Sequence, residues 1–265
     1  MDKPILRIFK IGGKVVEDER QLLAFLKSFS DIHENKILIH GGGKWVSEMS
    51  QRLGIEVTMV EGRRVTDAQT LEVVKMMLAG VANKNVVSKL QACGCNAIGL
   101  TGADGNSIKS EKRPIKNGID YGFVGDVKEI DATIIKQLIS LSLVPVFAAM
   151  THDGHGQMLN TNADTIASSV AVGMASGFDV ELNYCFELNG VLEDIDDPES
   201  VIPDIDPVKY NDLKARGIIN SGMIPKIDNA FEALKSGVKA VRIMNSKDMD
   251  KLANGALQVG TVIQN

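Results

Sequence analysis

The chain has 265 residues, with 29 Lys and Arg against 34 Asp and Glu for a net charge of −5, and 44% hydrophobic side chains. These values describe a folded soluble chain and exclude collagen-like repeats and disordered polymers; a chain of this size buries about three quarters of its unfolded surface and needs no disulfide or structural metal. The acidic balance argues against nucleic acid as a partner, because phosphate backbones bind to basic surfaces, but leaves room for a small anion in a local basic pocket.

Ile5–Ile11 is an apolar run that stops at Gly12-Gly13, and residues 36–39 form another that leads through His40 to Gly41-Gly42-Gly43. Both read as buried strands ending in glycine turns. Between them Leu22, Phe25, Leu26 and Phe29 recur at helical spacing, and Val46, Met49 and Leu53 predict a second helix that ends at Gly54. Residues 55–60 read as a third strand. Thr66-Asp67-Ala68-Gln69 has the form of a capping box, and Leu71, Val74, Leu78 and Val81 continue it as a helix. Ala97–Leu100 and Val144–Ala148 are of strand length, separated by a helix over residues 132–141 and by residues 107–126, whose glycines predict a hairpin over one end of the sheet. Thr161-Asn162-Ala163-Asp164 opens a helix to about Ala175. Residues 180–184 and 238–244 are late strands, with helices over 207–216 and 223–236, and residues 193–207 read as a surface excursion. Strands that alternate with helices throughout imply a mostly parallel open sheet covered on both faces, a three-layer αβα sandwich.

The N-terminal residues lack the pattern of a signal peptide, and the longest apolar run, residues 143–150, is too short to span a membrane, so the expected location is the cytoplasm. Cys93, Cys95 and Cys185 are odd in number and read as free thiols, and His152 and His155 lack further ligands for a metal.

In such a sheet ligands collect where strands lead into helix N-termini. Gly12-Gly13 and Gly41-Gly42-Gly43 lie at two such junctions, each beside a lysine, and their backbone N–H groups suit a phosphate. No P-loop or dinucleotide fingerprint is present. Lys10 lies inside an apolar strand, and Lys226 lies in the first turns of a helix, where a cation opposes the dipole; each needs a local anion. Asp164, in a first helical turn, is either a stabiliser of its own helix or the anion that holds both lysines. Arg64 is either solvated or a bidentate partner for a carboxylate.

Lys10-Ile11-Gly12-Gly13, His40-Gly41-Gly42-Gly43, Gly62-Arg63-Arg64-Val65-Thr66, Asn160-Thr161-Asn162-Ala163-Asp164 and Gly222-Met223-Ile224-Pro225-Lys226 follow in the order and spacing of one family. Over nearly its whole length the chain resembles the acetylglutamate kinases of the amino acid kinase family. The resemblance implies phosphorylation of the γ-carboxylate of an N-acyl-L-glutamate by MgATP, giving N-acetyl-L-glutamyl 5-phosphate in arginine biosynthesis. It implies that Lys10 and Lys226 flank the transferred phosphoryl group and that Asp164 orients them. Gly12 and Gly13 would serve phosphate, with Gly190 and Asn220 on the nucleotide side, and Gly42, Gly43, Arg64 and Asn160 would hold the acyl-amino acid. An N-lobe over residues 1–175 would carry the acyl-glutamate and the contacts of a homodimer, and a C-lobe over 176–265 the nucleotide. Mg²⁺ would bind through the nucleotide phosphates alone. The resemblance departs from the family at Cys185-Phe186-Glu187-Leu188-Asn189-Gly190, where members carry Ser/Thr-Asp-Val-x-Gly, and in the nine residues before Lys10, too few for a hexamer-forming helix. The expectation is therefore a dimer that arginine does not inhibit.

Other readings are N-succinyl-L-glutamate as substrate, with Arg63 or a lysine of the hairpin as partner for the succinyl carboxylate; a carbamate, glutamate, aspartate or UMP kinase; and a ligand sensor without catalysis. The hairpin over residues 107–126 is expected to close over a hydrolysable acyl phosphate as a lid.

Overall fold

A computed structural model describes residues 3–219, 223–256 and 258–264; Asn220, Ser221 and Gly222 lie outside the described residues. The chain runs β1 (Ile5–Ile11), α1 (Gly13–Glu17), α2 (Glu19–Ser30), β2 (Asn35–His40) and α3 (Gly43–Arg52). A two-stranded ribbon follows, β3 (Met59–Val60) and β4 (Arg63–Arg64), then α4 (Ala68–Val74) and α5 (Asn83–Ala92), joined through Lys75–Ala82, which is wound as a π-helix. The middle of the chain contains β5 (Ala97–Leu100), β6 (Ile108–Lys112), β7 (Gly125–Ile130), α6 (Ala132–Ser140), β8 (Val144–Ala148), β9 (Met150–His152), β10 (Met158–Asn160) and α7 (Ala163–Met174). The last part comprises β11 (Asp179–Phe186), β12 (Asp204–Ile205), α8 (Pro207–Ala215), α9 (Ile224–Lys235), β13 (Ala240–Asn245), α10 (Met249–Ala253) and β14 (Thr261–Ile263).

Eight strands form one sheet in the order β12-β14-β13-β11-β1-β2-β8-β5, parallel except where β13 meets β14. Strand alternation divides the core into two layers. On β1, Leu6 and Ile8 join the apolar cluster that includes residues of α7, α8 and α9, while Phe9 and Ile11 join the one formed with α1, α2, α5 and α10. Phe9 meets Phe25 and Phe29 edge-on at 6.5 and 5.4 Å, which fixes α2 against the central strand. Lys10 has the parity of Leu6 and Ile8, so the alternation that builds the core also aims this lysine at α7.

Four expectations need correction. Residues 55–60 give no strand of the main sheet; only Met59 and Val60 pair, with Arg64 and Arg63. Both capping boxes shift by one residue, since Asp67 caps α4 through the Thr70 N–H and Asn162 caps α7 through the N–H groups of Asp164 and Thr165. Thr66 and Thr161 are thereby released for other bonds. The hairpin reaches beyond Asp126, because β7 continues to Ile130, and β6 and β7 belong to a four-stranded sheet with β9 and β10. The excursion over 193–207 ends in β12, an edge strand whose Ile205 is fully buried.

Candidate active site

β1 and β2 are parallel neighbours, so their glycine turns leave the same edge of the sheet side by side. The Gly41 N–H donates to the Ile11 carbonyl at 3.2 Å. A side chain at Gly13 would place its Cβ 3.6 Å from Gly42 Cα, and Gly42 itself has φ +145°, with Leu78 Cδ2 3.0 Å from where its Cβ would lie. That backbone angle favours glycine, and the Leu78 side chain of the π-wound turn fills the space beside it. Gly12 caps α1 and Gly43 opens α3, where Glu17 Oε1 accepts the Lys44 N–H at 3.2 Å. Burial raises the pKa of this Glu17 carboxyl above the ordinary carboxylate value. Behind the turns, His40 is fully buried, with Nδ1 2.9 Å from the Gly41 carbonyl and Nε2 3.1 Å from Asn83 Nδ2, which also donates to the Val146 carbonyl. Burial lowers its pKa to about 4, so this histidine is neutral at physiological pH.

Lys10, only 7% exposed, brings Nζ to 2.8 Å from Asp164 Oδ1, and Lys226 Nζ lies 3.9 Å from Oδ2 of the same carboxylate. The Lys10 pair has angles poor for a hydrogen bond. One carboxylate within ion-pair distance thus serves two ammoniums, and the next one, Glu187, is paired with Lys14 at 3.6 Å, so the three lysines and two carboxylates keep a net positive charge. Desolvation by burial lowers the pKa of Lys226; Asp164 and, less strongly, Glu187 oppose the shift and Lys10 reinforces it. Both ammoniums also sit against the ring of Phe186, at 3.8 Å from its centroid for Lys226 and 4.8 Å for Lys10.

Next to this pair is a cleft of about 270 Å³ lined by both glycine turns, Arg63, Arg64, Arg113 and residues 160–164. Arg64 donates through Nη2 to the Gly43 carbonyl at 2.8 Å and to Ser47 Oγ at 2.7 Å, while its buried Nη1 has no partner. A half-buried guanidinium with a free donor is the complement of a carboxylate. Arg113 is held by Asp126, 2.6 Å from Nη2, and its Nη1 is likewise buried without a partner. Asn160 Nδ2 donates to Thr66 Oγ1 at 3.0 Å, the bond that the shifted cap makes possible. The Thr66 backbone in turn pairs with Tyr121 and Phe123 of the hairpin loop. At Gly122, φ is +70° and a Cβ would lie 2.2 Å from the Thr66 carbonyl oxygen, so the hairpin's base can close onto α4 only through a glycine. Residues 114–118, at the loop tip, are exposed.

Lys10, Gly13, Gly42, Gly43, Arg64, Asn160 and Asp164 therefore share one cleft, with Gly12 beside it and Lys226 across Asp164. Gly190 does not line this cleft; it is buried where a Cβ would meet Thr261 Oγ1 at 2.7 Å. Asn220 lies outside the described residues. Sequence reasoning assigns no site role to Thr66, Arg113 or Phe186; Thr66 stands there only as a helix cap and as the last residue of the Gly62–Thr66 motif, and Phe186 only within the departure from the family pattern. Among the described residues no group of three His, Cys, Asp or Glu side chains gathers as a metal site, and no helix is long and apolar enough to cross a membrane.

The profile of the amino acid kinase family matches residues 6–245. The chain belongs to the amino acid kinase family. Among its members, an acetylglutamate kinase of Cytophaga hutchinsonii is 54% identical over 256 residues, 97% of either chain. An acetylglutamate kinase of Bacteroides thetaiotaomicron is 53% identical over 238 residues, 90% of this chain and 92% of that one. Among solved structures, smu.665 from Streptococcus mutans UA159 superposes with a TM-score of 0.77 at 27% identity, covering 98% of both chains. The αβα sandwich is thus the fold of this family.

Proposed function

We propose that the chain is an N-acetyl-L-glutamate kinase, transferring the γ-phosphoryl group of MgATP to the γ-carboxylate of its acceptor in arginine biosynthesis. The observation that carries this reading is the Lys10, Asp164 and Lys226 cluster at one end of a cleft whose other charged wall is Arg64 with a buried, unpartnered Nη1. It is supported by the relatives of the same length named acetylglutamate kinase.

A γ-carboxylate, with an ordinary pKa of about 4.3, is ionised at neutral pH and needs no general base. The step demands alignment of two anions that repel each other and cancellation of the charge that builds between them. Lys10 and Lys226 supply that charge across the phosphoryl, and Asp164 keeps both in place between turnovers. Backbone N–H groups at Gly12, Gly13, Gly42 and Gly43 take phosphate and carboxylate oxygens at two neighbouring helix N-termini. Arg64 Nη1 takes the α-carboxylate, and Asn160, oriented by Thr66, takes the acylamino group. Magnesium arrives with the nucleotide as part of the substrate, since the donor set around Asp164 is cationic. The C-lobe, residues 176–265, carries the nucleotide, and the N-lobe, residues 1–175, carries the acceptor and the dimer contacts. Met76 and Val81, 49% and 45% exposed on the outward side of the π-wound helix, support pairing with a second copy; sedimentation at the mass of one chain would contradict that pairing. The exposed tip of the hairpin, residues 114–118, closes over the acyl phosphate while its base stays fixed to Thr66.

The test is ADP release across a panel of acceptors. N-acetyl-L-glutamate supports turnover, and N-acetyl-L-glutamine, carbamate, aspartate and UMP do not. Turnover with one of those instead would replace this reading, and turnover with N-succinyl-L-glutamate alone would replace its acyl group.

A further inference from the structure

Phe186 is the last residue of β11 and falls in the stretch where the chain departs from the family pattern. Its ring is fixed from one side by Tyr184, stacked at 6.1 Å with an interplanar angle of 11°. Tyr184 in turn donates its hydroxyl to the Asp164 carbonyl at 3.4 Å. The two ammoniums that share Asp164 thus also share one aromatic ring, 3.8 Å from Lys226 Nζ and 4.8 Å from Lys10 Nζ.

Two like charges gathered on a single close carboxylate repel each other, and Glu187, half exposed and 3.6 Å from Lys14, attracts Lys226 only from beyond ion-pair distance. A second carboxylate would hold them more strongly but would reduce the net charge of the cluster to zero, removing the positive field that an incoming phosphoryl group requires. An aromatic face attracts both cations through its quadrupole and carries no charge of its own. It also releases them at little cost when a phosphoryl oxygen competes, whereas an ion pair would have to break.

We infer that Phe186 is a positioning residue for phosphoryl transfer, an uncharged platform that gathers Lys10 and Lys226 around Asp164 while leaving their joint positive charge available. This inference rests on the phosphotransferase reading of the same site. It concerns an aromatic ring that acts through the lysines, so its effect falls on turnover rather than on acceptor affinity.

Isosteric variants separate the ring's electrostatics from its packing. Replacing Phe186 by phenylalanines with one, two and three fluorines on the ring weakens the quadrupole stepwise at nearly constant shape. The expected result is a fall in kcat that follows the fluorine number and reaches about tenfold, with KM for N-acetyl-L-glutamate changed less than about twofold. Phe186→Leu shows the same split, and Phe186→Tyr restores turnover. A second readout needs no substrate. In protein carrying ¹³C-labelled lysine, the ε-methylene protons of Lys226 and Lys10 resonate upfield under the ring current and move to ordinary values in Phe186→Leu. Ordinary lysine shifts in the unsubstituted protein, or turnover indifferent to fluorination, would overturn the inference. A protein with ring-shifted lysines that phosphorylates no carboxylate would overturn the functional reading instead, leaving the platform as a feature of another phosphotransferase.

Discussion

The two lysines of the site are held in different ways. Lys10 projects from a central strand, almost completely buried, with a carboxylate oxygen at 2.8 Å, and the turns beside it are tied by backbone hydrogen bonds and by the contact of Gly13 with Gly42. Lys226 projects from the start of α9, more than a third exposed, with its carboxylate partner at 3.9 Å and an aromatic face as its nearest support. The difference teaches that one side of the site is built on tied main chain, whereas the other rests on a partly exposed side chain with a looser ion pair. On the proposed function, the tied main chain aligns the reacting groups and the looser lysine adapts to the transferring phosphoryl.

The strongest way to break this comparison is Lys10→Ala, for which turnover falls by about 10³-fold, in the range of a lost transition-state donor, with the circular dichroism spectrum retained. Loss of Lys226 in Lys226→Ala should cost less, about 10²-fold in kcat, because this lysine is more exposed and more loosely paired, so solvent replaces part of its charge; equal losses for both lysines would erase the distinction. Arg64→Gln leaves kcat within a few-fold and raises KM for the acceptor by about 10- to 100-fold, since Arg64 binds the ground and transition states alike. Steady-state kinetics in which kcat fell instead would move Arg64 from acceptor binding to the transferring group.

The smallest effect concerns the support behind the glycine turns. His40 has a folded pKa near 4 against an ordinary value of 6.5, so the unfolded chain binds the proton more readily. Its contribution is fully present above pH 6.5 and is lost as pH falls towards 4, which amounts to about 2 kcal/mol between pH 7 and pH 5. Denaturant melts of the unsubstituted chain and of His40→Gln should differ in slope against pH over that interval; parallel curves would remove His40 as the cause.

Much of this arrangement was legible in the sequence. The Ile5–Ile11 run stopping at Gly12 gave its strand residue for residue, and the alternation that buries Leu6 and Ile8 also determines the direction of Lys10. The two glycine turns, Arg64, Asn160 and Asp164 all converge because each ends or begins an element on one edge of the sheet. What escaped depends on contacts between distant segments. Thr66 has the form of a helix cap, and only the meeting of α4 with β10 reveals that Asp67 takes the cap and Thr66 the bond from Asn160. Arg113 lies in a polar hairpin where arginine is ordinary, and its approach to the cleft requires the pairing with Asp126 across the hairpin. Phe186 reads as one more apolar residue at the end of a strand; its meaning arises from two cations 176 and 40 positions away along the chain.

The central claim is that a γ-carboxylate is phosphorylated between these two lysines. Its most direct test is a hydroxylamine trap, with MgATP and N-acetyl-L-glutamate, of the unsubstituted chain beside Lys10→Ala. The account predicts hydroxamate in step with ADP release from the first and almost none from the second. ADP released without hydroxamate, or hydroxamate formed equally by both proteins, would contradict it.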